Sequence, residues 1–143
     1  MNKAIHFFKN KVKYTVEDRA ILVRWITGVI KDRNKIPGDI NFIITSDKSL
    51  LEINLKYLNT DTYTDIITFT LSEEEGIISG DVYISIERIK ENAKKYDIEQ
   101  VEEFRRIVVH GVLHLLGYND LSTSEKRQMT RLENKYLSLY PRT

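Results

Sequence analysis

The chain has 143 residues, of which 41% are hydrophobic and 30% charged, and its formal net charge is +1. This composition is typical of one folded domain, and the near-neutral balance excludes a global field that would attract nucleic acid or membranes, leaving only a local basic patch for that purpose. Because the chain has no cysteine, disulfides and cysteine-ligated zinc sites are excluded, and any metal must be held by histidines and carboxylates.

The N-terminal half predicts two strands and two helices. Residues 4–8 form an apolar run that predicts a first strand but is too short for a signal sequence. No apolar stretch approaches the roughly 18 residues needed to cross a bilayer, so we expect a cytoplasmic protein. Residues 15–18 resemble a capping box for a helix that ends near Asp32. Residues 36–39 predict a turn, residues 40–45 a buried strand, and Ser46 the start of a helix that runs to about Tyr57.

The C-terminal half predicts a hairpin followed by three helices. Residues 59–64 read as a polar connection, residues 65–70 and 81–85 as strands, and residues 73–76 as the loop between them. Helices are expected over 86–96 and 99–116, and a capping box at 122–125 begins a last helix. That last helix is expected to bury Met129, Leu132 and Tyr136. The expected fold class is therefore α+β: a small mixed four-stranded sheet packed with about five helices, in a single domain spanning residues 1–143.

Residues 110–120 carry the pattern that points most directly to chemistry. His110 and His114 are four residues apart and share one face of a helix. Gly117 ends that helix and lets the chain turn back, which brings Asp120 to the same point. A bare histidine pair is more often a core or surface pair, but this helix is apolar nearly all round, where polar side chains are costly to bury. The spacing matches the long zincin motif and predicts a zincin-like helix with three metal ligands and an open fourth position.

The residue after His110 argues against one class of metalloenzyme. Zincin-type metallopeptidases place a glutamate directly after the first histidine, where it acts as the general base. This chain has Gly111 at that position. The peptidase hypothesis is therefore disfavoured, and another hydrolysis at a metal is expected.

The motif and its surroundings resemble the YbeY family of single-domain, metal-dependent endoribonucleases linked to rRNA maturation and ribosome quality control. The family's hallmark is similar to His-Gly-x-Leu-His-Leu-x-Gly-Tyr-Asp-His, and residues 110–118 match it throughout. The further matching positions, in order along the chain, are Asn54, Tyr57, Asp61, 64–69, 80–85, Glu102, Glu103, Met129 and Glu133. The resemblance implies an endoribonuclease whose partner is ribosomal RNA or the small ribosomal subunit, with neither DNA nor a membrane expected.

Two residues depart from the family pattern. The family's third metal ligand is usually histidine, whereas this chain has Asp120. A carboxylate preserves zinc geometry but lowers the net charge of the site, so we expect a less acidic bound water and looser metal selectivity. The second departure is Leu58, which stands where the family has an arginine, and leucine cannot neutralise a phosphate. Both departures favour an alternative in which the protein is a ribosome-assembly factor with a mainly structural metal and little nuclease activity.

The expected site holds one zinc ion per chain on His110, His114 and Asp120, with another divalent metal as the alternative because of Asp120. A metal in such a site would activate water against a phosphodiester. Asp65 and Asp81 are expected to orient the metal-binding side chains, although a turn or helix-cap role fits them equally well. For RNA, the expected contacts are Arg106, one turn before His110, and Tyr118, which can stack on a base.

Overall fold

The structure, a computed structural model, describes residues 4–58, 66–72 and 74–141. Over these ranges it confirms the α+β class, with four strands in one mixed sheet and five α-helices. The elements in chain order are β1 (Ile5–Lys9), α1 (Arg19–Asp32), β2 (Ile36–Thr45), α2 (Asp47–Ile53), β3 (Ile66–Thr70), β4 (Ile77–Ser85), α3 (Ile86–Tyr96), α4 (Gln100–Leu115) and α5 (Thr123–Ser138).

The sheet has the strand order β1-β2-β4-β3. The strands β1, β2 and β4 run parallel, and β3 pairs antiparallel with β4, which confirms the predicted hairpin. Alternate side chains of the two central strands, such as Phe42, Ile44, Val82 and Ile84, are fully buried. They form the face on which the helices pack, as the period-two alternation of strand side chains requires.

Helix α4 lies unusually close to this face of the sheet. A Cβ atom added to Gly111 would lie only 2.7 Å from Val82 Cγ1 and 2.9 Å from Ile66 Cδ1. A Cβ atom added to Gly80, on β4, would lie 2.7 Å from Leu115 Cδ2. Two glycines on facing elements therefore permit a contact that any larger residue would push apart.

Helix α5 packs beside α4. It is also joined to α1 by a hydrogen bond. The indole Nε1 of Trp25 donates a hydrogen bond of 2.8 Å to the backbone oxygen of Tyr136. The predicted apolar stripe of α5, consisting of Met129, Leu132 and Tyr136, is buried. This position lets α5 present other side chains to the outer edge of α4. In the described part of the chain, no helix combines the length and the apolar character that crossing a bilayer requires.

The predicted turn at residues 36–39 is wrong, because β2 begins at Ile36 and continues to Thr45. Ile36 and Pro37 pair with the start of β4, and the register shifts between Pro37 and Ile40. Such an irregularity accommodates a proline that cannot donate to the ladder. Because Ile36 and Pro37 pair with Ile77 and Ile78, β4 begins at Ile77, four residues before the predicted start of the strand.

Two helix ends also differ from prediction. The capping box at residues 15–18 is not formed, since α1 begins at Arg19 after Asp18 in a left-handed conformation, with φ of 52° and no side-chain cap. The helix capped by Ser46 keeps α geometry only to Ile53 and continues as a π-helical turn over Asn54–Leu58. The predicted connection at residues 59–64 lies outside the described residues.

The capping box of α5 is present as predicted. The hydroxyl of Ser122 accepts from the Glu125 amide at 3.1 Å, and the Glu125 carboxylate accepts from the Ser122 amide at 2.9 Å. This hydrogen bond from the Ser122 backbone lowers the pKa of Glu125 below its ordinary value.

A glutamate whose pKa is lowered by folding stabilises the protein above its unfolded-state pKa, and this contribution is lost as the pH falls through the folded-state pKa. We therefore expect Glu125→Gln to be less stable than the wild type near pH 7, and we expect the difference to vanish as the pH falls through the lowered pKa of Glu125. Urea unfolding at stepped pH measures this. Glu52→Gln, an exposed glutamate on α2, serves as the control. A difference that stays constant with pH would contradict the assigned role of the carboxylate.

Candidate metal centre

Helix α4 carries the two histidines on a partly exposed edge, next to the face on which Gly111 contacts the sheet. The Nε2 atoms of His110 and His114 lie 2.9 Å apart, and the rings meet edge to face. Their side chains are 18% and 21% exposed, so both are reachable from solvent although the helix is largely buried. The four-residue spacing therefore directs both imidazoles to one point, as the sequence predicted.

Asp120 reaches that point because α4 ends in a Schellman motif. Gly117 has φ of 101°, a left-handed conformation that favours glycine. The Gly117 amide donates to the His114 oxygen at 2.9 Å and the Tyr118 amide to the Leu113 oxygen at 3.0 Å. The chain reverses there and returns Asp120 Oδ2 to 3.3 Å from His110 Nε2 and 3.7 Å from His114 Nε2.

The three donor atoms have the separations that a tetrahedral ion requires. With metal–ligand bonds near 2.0–2.1 Å, tetrahedral donors stand about 3.3 Å apart. The distances between the donor atoms of His110, His114 and Asp120 are 2.9, 3.3 and 3.7 Å. Among the residues that the structure describes, these three are the group of histidines and carboxylates able to hold a metal ion. Two nitrogens and one oxygen also suit zinc and its divalent neighbours.

Glu133 on α5 contacts the centre, although the sequence assigned it no part in the site. Its Oε2 lies 2.6 Å from His110 Nδ1 and its Oε1 lies 3.0 Å from Nη1 of Arg106. The Glu133 side chain is only 9% exposed, so the carboxylate is held between the imidazole and the guanidinium. It orients His110 so that Nε2 faces the metal position. The available signal was a charged residue beside the apolar stripe of α5.

His114 is oriented by the backbone. Its Nδ1 lies 3.0 Å from the carbonyl oxygen of Tyr118, to which it donates. The Tyr118 side chain points elsewhere, since its hydroxyl accepts hydrogen bonds from the guanidinium of Arg33, with a distance of 3.0 Å from Nε. Tyr118 therefore contributes to the site through its main chain, and its ring packs against the core.

The remaining predicted residues are placed as follows. Arg106 lies beside the site, bound to Glu133 and, at 3.0 Å, to Asn134 Oδ1. Asp81 accepts a hydrogen bond of 3.0 Å from Asn41 on the neighbouring strand. Asp65 lies outside the described residues. A groove of about 580 Å³, lined in part by Tyr96, Arg106, His110 and Glu133, borders the centre on the side of His110.

We expect Glu133→Gln to weaken metal binding by about 10- to 100-fold, because the neutral amide no longer supports the proton on His110 Nδ1. Competition with a chromophoric chelator measures the affinity. Glu102→Gln makes the same chemical change at an exposed position on α4 and should leave the affinity unchanged. Equal affinities in the two variants would show that Glu133 does not support the ligand.

Comparison with known proteins finds similarity to one protein family. The profile of the family described as Endoribonuclease YbeY matches residues 4–141. The chain is 41% identical over 133 residues to the Endoribonuclease YbeY of Amoebophilus asiaticus, covering 93% of this chain and 90% of that protein. It is 44% identical over 125 residues to the protein of the same name from Azobacteroides pseudotrichonymphae, covering 87% of this chain and 89% of that protein.

A solved structure shares the fold. The solution structure of TM1509 from Thermotoga maritima superposes with a TM-score of 0.62 at 25% sequence identity, covering 94% of this chain and 87% of that one.

Proposed function

The chain belongs to the YbeY endoribonuclease family, and from that premise we propose that it is a zinc-dependent, single-strand-specific endoribonuclease acting in rRNA maturation and ribosome quality control. The observation that carries the proposal is the convergence of His110, His114 and Asp120, whose donor atoms have the spacing of a tetrahedral metal site. The proposed partner is ribosomal RNA or the small ribosomal subunit, and the proposed location is the cytoplasm, where that RNA matures.

The residues of the site would have distinct roles in the reaction. His110, His114 and Asp120 would hold the ion, which when bound makes water a nucleophile at neutral pH and polarises a phosphodiester oxygen. Glu133 and the Tyr118 carbonyl fix the two imidazole rings, which removes the need to orient them during the reaction. Arg106, beside Glu133, is positioned to face a phosphate that enters the neighbouring groove.

The proposal is tested with metal-free protein to which a metal is added back. A 5′-labelled single-stranded RNA and its duplex form are incubated with chelator-treated protein, and then with the same protein after addition of Zn²⁺ or Mn²⁺. We expect cleavage of the single strand only after metal addition. Mn²⁺ is included because Asp120 gives the site an oxygen ligand. No cleavage with either ion would refute the proposed activity.

A second candidate is an assembly factor in which the metal is mainly structural. Asp120 favours it by lowering the charge available to activate water. Leu58 favours it because leucine, unlike the arginine that the family has at this position, cannot neutralise a phosphate. In that case, adding zinc would raise the melting temperature without producing cleavage. The same samples, measured by thermal unfolding, therefore distinguish the two functions.

A further inference from the structure

We propose that one face of α5 binds the phosphate backbone of single-stranded RNA and leads it to the metal centre. This face, called here the α5 basic face, consists of Lys126, Arg127, Thr130, Arg131 and Asn134. The inference rests on the proposed function, because it names the surface that presents the substrate to the same site.

The spacing on α5 puts these side chains together. Lys126, Thr130 and Asn134 follow one another at intervals of four residues, as do Arg127 and Arg131, so two adjacent rows run along the helix. Together with Thr123, they line a surface groove of about 540 Å³. The cations therefore lie along one shallow surface groove.

The three cations of this face have no carboxylate partner among the residues that the structure describes, within an ion-pair distance of 4.0 Å. The two acidic residues of α5 are engaged elsewhere, Glu125 in the capping box and Glu133 with His110 and Arg106. Lys135, on another side of the helix, pairs with Asp32. The positive charge of Lys126, Arg127 and Arg131 is thus available to an external anion.

The α5 basic face is continuous with the groove at the metal centre. Thr130 and Asn134 line both grooves, and the second groove also contains His110 and Arg106. Asn134 accepts a hydrogen bond from Arg106, which joins the two grooves. A polyanion lying along α5 would therefore meet Arg106 and then His110, one of the three candidate metal ligands.

Charge complementarity identifies the occupant. Repeated cations and hydroxyl or amide groups along a groove are suited to successive phosphates, and such groups bind the backbone without regard to base sequence. A single strand fits the proposed specificity of the site, because its backbone can follow a groove that leads to the ion. The chain as a whole is nearly neutral, so the attraction is local to this face.

The test compares the wild type with K126E/R127E/R131E and with the control K31E/K48E/K90E. The control reverses three exposed lysines on α1, α2 and α3, so both triple variants change the net charge equally. Binding of a fluorescein-labelled single-stranded RNA to chelator-treated protein is followed by anisotropy at several salt concentrations. Cleavage by zinc-loaded protein gives KM and kcat, and circular dichroism with thermal unfolding verifies that each variant is folded.

In the α5 variant we expect affinity to fall by about tenfold or more. The slope of log affinity against log salt should decrease by about 2, since each phosphate that the protein no longer neutralises removes about 0.7. KM should rise with kcat within about twofold of the wild type, and the control should match the wild type. Wild-type affinity and KM in the α5 variant would overturn the inference and leave the proposed nuclease intact. Loss of binding in that variant, with no cleavage even by the wild type, would refute the nuclease and support the surface.

Discussion

Replacing His114 with alanine is expected to abolish stoichiometric metal binding and to reduce cleavage of single-stranded RNA by more than about 100-fold. Loss of a direct ligand exceeds the 10- to 100-fold effect of removing a residue that merely orients one. The remaining donors, His110 and Asp120, are fewer than the three protein ligands of a catalytic zinc site. Elemental analysis of the purified protein measures the metal, and a labelled oligonucleotide measures cleavage.

The matched control for this experiment is His6→Ala. His6 is exposed on β1 and is the histidine that lies outside the metal centre, so the change is chemically identical. It should retain both metal and activity. Full metal retention in His114→Ala would eliminate the assigned site. Cleavage that persists equally in wild type and variant would instead point to a contaminating nuclease.

Introducing the peptidase-type glutamate by Gly111→Glu is expected to prevent folding and to confer no peptidase activity. The side-chain direction at Gly111 points into the sheet, where Val82 Cγ1 lies 2.7 Å from an added Cβ atom. Even Gly111→Ala should destabilise the protein by about 1–3 kcal/mol, since overpacking a rigid core forces the backbone to move. The glutamate would in addition bury an unpaired carboxylate.

Urea denaturation of the alanine variant gives the quantitative comparison. The control is Gly28→Ala in α1, where an added Cβ atom has no neighbour within 4 Å. That change should be neutral or stabilising by up to about 1 kcal/mol, because alanine is the better helix former. If Gly111→Ala were as stable as Gly28→Ala, the close contact between α4 and the sheet would not hold.

Three local features of the fold were predicted correctly because each depends on a few neighbouring residues. The capping box at Ser122, the left-handed Gly117 and the four-residue spacing of His110 and His114 are each specified within a few residues. The turn assigned to residues 36–39 failed for the opposite reason. Proline and glycine favour a turn locally, but pairing with β4 supplies hydrogen bonds that carry β2 through them.

The residues that orient the histidines could not be predicted from the sequence, because their contacts depend on how the helices pack. Glu133 is 23 residues from His110 and reaches it only when α5 packs against α4. Arg106, expected as an RNA contact, is likewise bound by Glu133 of α5. Spacing thus predicted the three candidate ligands, whereas the residues that orient the histidines emerged only from helix packing.

The turn at Gly117 determines more than the end of a helix. It sets the Tyr118 carbonyl 3.0 Å from His114 Nδ1, and a carbonyl oxygen can only accept a hydrogen bond. The proton of a neutral His114 is thereby confined to Nδ1, and the lone pair is confined to Nε2. A backbone dihedral angle at a residue without a side chain consequently selects the tautomer of an imidazole three positions earlier.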